Sequence, residues 1–174
     1  MPITINGSGT LTGVSVGGLP DGIVDTDMLA ANAVTAAKRG TGAILQVVTD
    51  IDSGQFTTTS NSWQWQGLDV SITPSSSSNK VLVIVGLAMH AGNDLAYITL
   101  YRGTDNLGGS EGFGACQEDG NFRVISNISY LDSPSSTSAV QYRVAVRNGN
   151  NSTTIECPPW ANGKQTITAL EIAG

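Results

Sequence analysis

From Ala43 onward, apolar and polar residues alternate with a period of two, which is typical of half-buried β-strands. Turns rich in Gly, Asn and Ser separate the alternating segments. We predict strands over residues 43–50, 56–59, 63–72, 80–90, 95–102, 122–131, 138–147, 153–157 and 165–172. Strands at this spacing, with no helical pattern among them, indicate an antiparallel jelly-roll sandwich.

Two of these strands differ in how they distribute apolar residues. Over 140–147, Val and Tyr alternate with Gln and Arg, which predicts one dry face and one wet face. Over Val81 to Met89, both faces are apolar, although a sandwich strand normally leaves one face in solvent. The second face therefore needs a cover, and a neighbouring subunit is favoured over loops of the same chain.

Residues 19–42 carry the signals of a turn followed by one short helix. Asp25 or Thr26 is the expected N-cap, Lys38 and Arg39 fall in the last turn, and Gly40 is the expected stop. Its interior is small and apolar nearly all round, and a helix this short is marginal in water. We therefore expect it to pack on copies of itself, on the following domain or on a partner.

The chain thus divides into three predicted parts. Residues 1–18 suit an extended N-terminal arm more than a packed strand pair, residues 19–42 form the turn and helix, and residues 43–174 form the jelly-roll domain. A chain of 174 residues is long enough for one good core beside such a tail.

Charge and composition exclude several classes of partner. With Lys and Arg totalling 8 against 14 Asp and Glu, the net charge of -6 disfavours nucleic acid. The longest apolar run is too short to span a membrane, and the first residues lack a secretion signal, so synthesis and retention in the cytoplasm are expected. Cys116 and Cys157 lack metal-site spacing; two buried thiols are favoured over a disulfide, which remains open.

Candidate catalytic residues do not form a recognisable set. His90 is the single histidine and ends the most apolar strand, which favours a core or interface position over a general base. The Gly-rich run 108–114 lacks the strand-to-helix setting of a phosphate site. Seven acidic residues are candidates for a calcium site or a glycosidase pair. Asp21, Asp25 and Asp27 do not have the spacing of a calcium loop, and no glycosidase pair can be identified among Glu111, Glu118, Asp119 and Asp132. We expect no enzyme, metal or cofactor.

Several segments resemble a known family. Residues 18–38 (GLPDGIVDTDMLAANAVTAAK) resemble the N-terminal segment of small fibre proteins from tailed phages, many of them marine or cyanobacterial. The segments SYLDSP at 129–134, QYRV at 141–144 and ALEIA at 169–173 resemble the distal knob of such fibres. The resemblance implies a parallel homotrimer, mounted on the virion by its N-terminal segments, with jelly-roll knobs pointing outward and no catalytic residue. This chain has almost no shaft between helix and knob.

The resemblance and the patterns together give candidate site residues. The attachment and trimer interface is predicted to include Met28, Leu29, Ala33, Val34, Ala37, Val81, Val83, Val85 and Glu171. Glu171 is placed near the trimer axis, where three carboxylates would need partners. Candidate receptor-facing residues are Trp160, Asn162 and Trp63; for Trp63 and Trp65, core filling is favoured over recognition, which makes Trp160 the stronger candidate.

The expected function is therefore a short homotrimeric phage fibre, located in the virion after synthesis in the host cytoplasm. Its N-terminal segment would bind other virion structural proteins, and its knobs would contact a host-surface glycan or protein with the avidity of three sites. The alternative is a decoration protein of capsid, neck or tail that binds no receptor. An enzyme acting on surface polysaccharide is a third and weaker hypothesis.

Overall fold

A computed structural model describes residues 4–5, 11–12, 33–35, 38–92, 94–117 and 123–174 of the chain. The chain divides into two compact units, Met1–Lys38 and Arg39–Gly174. The second unit contains the two main sheets.

The first unit contains a small strand pair. Strands β1 (Thr4–Ile5) and β2 (Leu11–Thr12) pair antiparallel, with Thr4 opposite Thr12 and Ile5 opposite Leu11. For these four residues the preference for an extended arm over a strand pair is corrected, because their backbone groups pair with each other. The other residues of segment 1–18 lie outside the described ranges.

Most of the predicted helix lies outside the described residues, including Met28, Leu29 and Ala37. Residues 33–35 are described and are not helical; Ala33 is half-buried and Val34 is exposed. The Lys38 N–H donates to the Thr35 carbonyl at 2.9 Å, which closes a single turn. For residues 33–35 the helix prediction is therefore wrong, in keeping with the marginal stability of a helix this short.

The second unit confirms the predicted β-strands. Their bounds are β3 (Ile44–Asp52), β4 (Phe56–Thr58), β5 (Gln64–Ile72), β6 (Lys80–Met89), β7 (Leu95–Arg102), β8 (Asp105–Asn106), β9 (Gly114–Gln117), β10 (Val124–Asp132), β11 (Val140–Asn148), β12 (Ile155–Cys157) and β13 (Gln165–Ile172). The sequence patterns missed β8 and β9, which are short and flank a Gly-rich loop.

The strand order is that of a jelly roll. One sheet has the order β10-β6-β13-β3, and the other has the order β5-β11-β7, with β8 and β9 both pairing with β7. Every pair is antiparallel, and consecutive long strands alternate between the two sheets. Two interleaved Greek keys of this kind define the jelly roll, so the predicted fold class is confirmed. A further small sheet pairs β12 with β4.

The hydrophobic core lies between the two main sheets. Each strand sends alternate side chains inward, as the period of two predicts. The inward residues are mainly β-branched and aliphatic and include Leu68, Val70, Ile72, Val81, Val83, Val85, Leu87, Met89, Ile98, Leu100, Ile128, Tyr142, Val144, Val146, Ile167 and Ala169. No helix in the described part of the chain is long and apolar enough to cross a membrane.

A buried polar cluster joins the two sheets. Asp132 of β10 accepts hydrogen bonds from Arg102 of β7 at 3.0 Å and from the Tyr142 hydroxyl of β11 at 2.7 Å. Burial, with the hydrogen bond to Asp132, raises the pKa of Tyr142 above its ordinary value, so its hydroxyl stays a donor. Asp132 therefore has a structural role across the sandwich.

Candidate functional site

One outer surface of the sandwich has an uncharged region of exposed aliphatic and polar side chains, bordered by the row that contains Lys80, Ile172 and Ile44. Across the sheet β10-β6-β13-β3, one row of paired residues consists of Leu131, Leu82, Leu170 and Val47. Their side chains point away from the core, and Val47 and Leu131 are 55% and 50% exposed. This row is the first of three that form what we call the outer apolar face.

Two neighbouring rows complete the outer apolar face. They consist of Ser129, Ile84, Thr168 and Thr49, and of Asn127, Gly86, Thr166 and Ile51. None of these twelve described positions carries Asp, Glu, Lys or Arg. A face that combines exposed aliphatic side chains with uncharged polar ones is typical of a surface that another protein covers.

Four predicted interface residues lie on the opposite side of this sheet. Val81, Val83 and Val85 are fully buried in the core, and Glu171 is 1% exposed. This placement corrects the sequence prediction, because these side chains pack inside one chain and cannot meet a neighbour. The residues of this sheet that could meet a neighbour are their alternating neighbours, such as Leu82 and Ile84.

Glu171 is held by donors from its own chain. Its carboxylate accepts hydrogen bonds from Gln46 at 2.7 Å, from the Ser75 backbone N–H at 2.6 Å, and from Asn79. Burial alone would raise the pKa of Glu171, but these hydrogen bonds outweigh it and hold the pKa below its ordinary value. Glu171 therefore fastens the loop between β5 and β6 to β13.

The outer surface of the other sheet carries stacked aromatic and arginine side chains. We call this set, Trp63, Trp65, Tyr97, Tyr101, Arg143 and Arg147, the aromatic–arginine face. Five of its six residues lie on β5, β11 and β7, where the outward positions of neighbouring strands fall side by side, and Trp63 immediately precedes β5. The prediction that β11 has a wet outer face is confirmed for Gln141, Arg143 and Arg147.

Arg147 occupies the centre of one stack. Its guanidinium carbon lies 3.9 Å from the centre of the Tyr97 ring and 5.1 Å from that of Trp63. Arg147 also pairs with Glu111 at 3.2 Å. Cations over aromatic faces are stabilised by the ring quadrupole. The charge of Arg147 is therefore already stabilised by the two rings and by Glu111.

Arg143 and Trp65 form the second stack, and this one is more open. The Arg143 guanidinium carbon lies 3.8 Å from the centre of the Trp65 ring, and Tyr101 contacts the same ring edge-on at 4.6 Å. Trp65 is nevertheless 46% exposed. The preference for core filling at Trp63 and Trp65 is therefore corrected, since both rings belong to the outer surface.

A pocket opens beside Trp65 where the β5–β11 pairing is interrupted. The register shifts between Arg143 and Ala145, and Gly67 on the facing strand has a φ of +100°, which favours glycine. The cavity measures about 160 Å³ and is lined by Trp65, Gly67, Leu68, Asp69, Gln141, Arg143 and Val144. The sequence signal that could have found it is Gly67 between Trp65 and Asp69.

Hydrogen bonds fix the polar side chains of this pocket. Gln141 donates to one carboxylate oxygen of Asp69 at 3.2 Å, and Arg143 donates to the Gly103 carbonyl at 2.7 Å. No ion pair joins Asp69 and Arg143 among the interactions of the described residues. The pocket therefore presents one carboxylate and one guanidinium, both held in place.

The other predicted receptor-facing residues lie elsewhere. Trp160 is 45% exposed in the turn between β12 and β13, with the Arg123 guanidinium carbon 6.0 Å from its ring centre. Asn162 in the same turn is exposed and has a φ of 63°. Neither residue lines the pocket at Trp65.

The other residues considered for catalysis or metal binding are His90, the two cysteines and several acidic residues. His90 lies at the β6 end, 3.7 Å from Glu156. Burial raises the pKa of the Cys157 thiol, with Cys116 and Glu156 adding to the shift, and no disulfide joins the two cysteines. In the described ranges, no group of three His, Cys, Asp or Glu residues could hold a metal ion. Glu118, Asp119 and the predicted Asp21, Asp25 and Asp27 lie outside those ranges.

Comparison with known proteins gives only structural similarity. No family model matches the chain, and no curated protein matches it. One similar chain comes from the structure of infectious bursal disease virus, Gx strain. The match covers 74% of the present chain and 32% of the viral chain, with 15% sequence identity and a TM-score of 0.37. A chain of the infectious bursal disease virus VP2 subviral particle is similar over 74% and 38%, with 13% identity and a TM-score of 0.33.

This chain thus spans about a third of the length of those two viral chains. The strand order of this chain by itself defines the jelly roll.

Proposed function

We propose that this chain is a virion structural protein, a short homotrimeric phage fibre. Its N-terminal segment attaches to other virion proteins, and its jelly-roll knob contacts a glycan or protein on the host surface. The role is adhesive, with no catalytic step. The likeness of residues 18–38 and of three knob segments to small phage fibre proteins supports the virion role.

The outer apolar face is the observation that supports assembly. Leu82, Leu170 and their row neighbours form a continuous apolar line across four strands, and the next two rows, which contain Ile84 and Gly86, are uncharged. Another copy of this chain suits this surface because no charged side chain lies within these three rows, and the exposed Lys80 at their border can stay in solvent. Three copies around a shared axis can each turn this face inward, which is a closed arrangement.

The aromatic–arginine face is on the opposite outer surface of the sandwich. If the outer apolar face is turned toward the axis, the stacked Trp, Tyr and Arg residues stay on the outside of the trimer. Three copies of the pocket at Trp65 would then be displayed together, and a weak interaction at each would add up by avidity.

Deleting residues 43–174 from the phage that encodes this chain tests the adhesive role. We expect intact particles that no longer adsorb to host cells. The alternative is a decoration protein of capsid, neck or tail, which needs the outer apolar face for assembly but no receptor-binding surface. For this alternative, the deletion should give unstable or unassembled particles. Particles that assemble and adsorb normally would contradict both functions.

A further inference from the structure

We propose that the pocket beside Trp65 binds an uncharged pyranose ring, with Trp65 as the stacking surface and Asp69, Gln141 and Arg143 as hydrogen-bonding groups. This inference rests on the proposed adhesive function and specifies its ligand class. It locates recognition at the β5–β11 bulge, away from the turn that holds Trp160.

Exposure on the aromatic–arginine face favours a small ligand. Trp63 and Tyr97 are half-buried against Arg147, and Tyr101 is half-buried against Trp65. Trp65 is 46% exposed although the Arg143 guanidinium lies over its ring. A stable protein partner needs about 800 Å² on each side with several anchors. One accessible ring beside a concave pocket instead suits a ligand with a single apolar face. A pyranose has such a face in its axial C–H groups, which the negative face of an aromatic ring attracts.

The polar side chains of the pocket match hydroxyl groups. After the contacts within the described residues are made, Asp69 Oδ2 and the Gln141 side-chain carbonyl can accept, and Arg143 Nη1 can donate. A sugar hydroxyl is both donor and acceptor, so adjacent hydroxyls can use these groups together. Because the partners are already oriented, little side-chain entropy is lost on binding.

The charges and the volume of the pocket restrict the class of ligand further. The pocket contains one carboxylate and one guanidinium, so an added carboxylate on the sugar would face Asp69 as well as Arg143. A cavity of about 160 Å³ is smaller than the roughly 300 Å³ or more of a drug-sized site. It therefore suits one uncharged ring, such as a terminal residue of a longer glycan.

Saturation-transfer NMR on the full-length protein tests this inference. The probes are the methyl glycosides of glucose, galactose, mannose and N-acetylglucosamine, with methyl glucuronoside as the charged comparison. We expect transfer to ring protons of at least one uncharged glycoside, with a millimolar Kd that is at least tenfold weaker in Trp65→Ala. Asp69→Asn keeps the side-chain shape and the Trp65 stack, and we expect it to weaken binding several-fold.

Trp160→Ala is the matched comparison, because Trp160 is as exposed as Trp65 but lies outside the pocket. Its affinity should equal that of the unmodified protein. The inference is overturned if no uncharged glycoside binds, if the glucuronoside binds best, or if Trp160→Ala abolishes binding while Trp65→Ala does not. Should Trp65→Ala fail to fold, an unchanged affinity in Asp69→Asn would also overturn it. Loss of adsorption on knob deletion would persist if only the sugar assignment fails, which separates it from the proposed function.

Discussion

Leu82 and Leu170 face each other across the β6–β13 pair on the outer side of the sandwich. Their chain neighbours Val81 and Glu171 also face each other, but inside it. Because strand side chains alternate, a difference of one residue separates the core from the surface that can meet another subunit. Assembly and stability can therefore be altered separately on the same two strands.

If the proposed trimer is held by the outer apolar face, Leu82→Lys should separate its subunits without unfolding the chain. The lysine side chain can remain in solvent on a single subunit, whereas at an interface it would replace buried apolar contacts worth about 1.5–3 kcal/mol per subunit. We expect sedimentation velocity at micromolar concentration to show the mass of one chain, with an unchanged circular dichroism spectrum.

Ser71→Lys is the matched control, because Ser71 is an exposed strand residue of the other sheet. It should leave the assembly intact. An assembly that survives in Leu82→Lys, or that is lost equally in both variants, would show that the outer apolar face is not the interface.

Glu171→Gln should destabilise the folded chain by about 2 kcal/mol at neutral pH, since the variant loses charge-assisted hydrogen bonds from Gln46, Ser75 and Asn79. Urea denaturation followed by fluorescence measures the change. Glu111→Gln, at an exposed position, is the control and should change the free energy of unfolding by less than about 0.5 kcal/mol.

The effect of Glu171→Gln on the free energy of unfolding should depend on pH. The folded-state pKa of Glu171 is lowered, so its stabilisation is complete above the unfolded-state value of about 4.3 and is lost as the pH falls through the folded-state pKa. The stability difference between the unmodified chain and Glu171→Gln should therefore be constant at neutral pH and shrink in acid. A difference that grows on acidification would contradict this account of Glu171.

Gly112→Ala should be much more harmful than Gly109→Ala. Both glycines have positive φ, which costs another residue about 1–2 kcal/mol. A Cβ on Gly112 would also clash with the Ile98 carbonyl and approach the Trp63 ring to 2.8 Å, whereas one on Gly109 meets nothing within 4 Å. Thermal unfolding should show a loss for Gly112→Ala larger by about 1–3 kcal/mol. Equal losses would contradict the close packing of this loop against β7 and Trp63.

The fold was largely predictable because the alternation of apolar residues is strong. Val140, Tyr142, Val144 and Val146 point inward as their spacing predicts. The order of the strands within each sheet was not predicted, because it depends on pairing between segments far apart in the chain. β9 could not be found in this way because its segment, Gly114–Gln117, contains no alternating apolar residues. It gains its place through pairing with β7, which is a tertiary contact.

The candidate sites were harder to predict because they depend on which face each residue takes. The apolar run Val81–Met89 correctly indicated a strand with two apolar sides, but the pattern did not say which side was the core. Pairing with β13 and β10 decides it, since Val83 lies in the sandwich and Ile84 lies outside. Likewise, the stack of Arg143 on Trp65 joins residues from different strands, which no local pattern reveals.

The native mass of the purified full-length protein tests the central claim most directly. Native mass spectrometry at micromolar concentration should give three times the 18.0 kDa of one chain, because three outer apolar faces are proposed to close around one axis. A species that has the mass of a single chain across that concentration range would contradict the account.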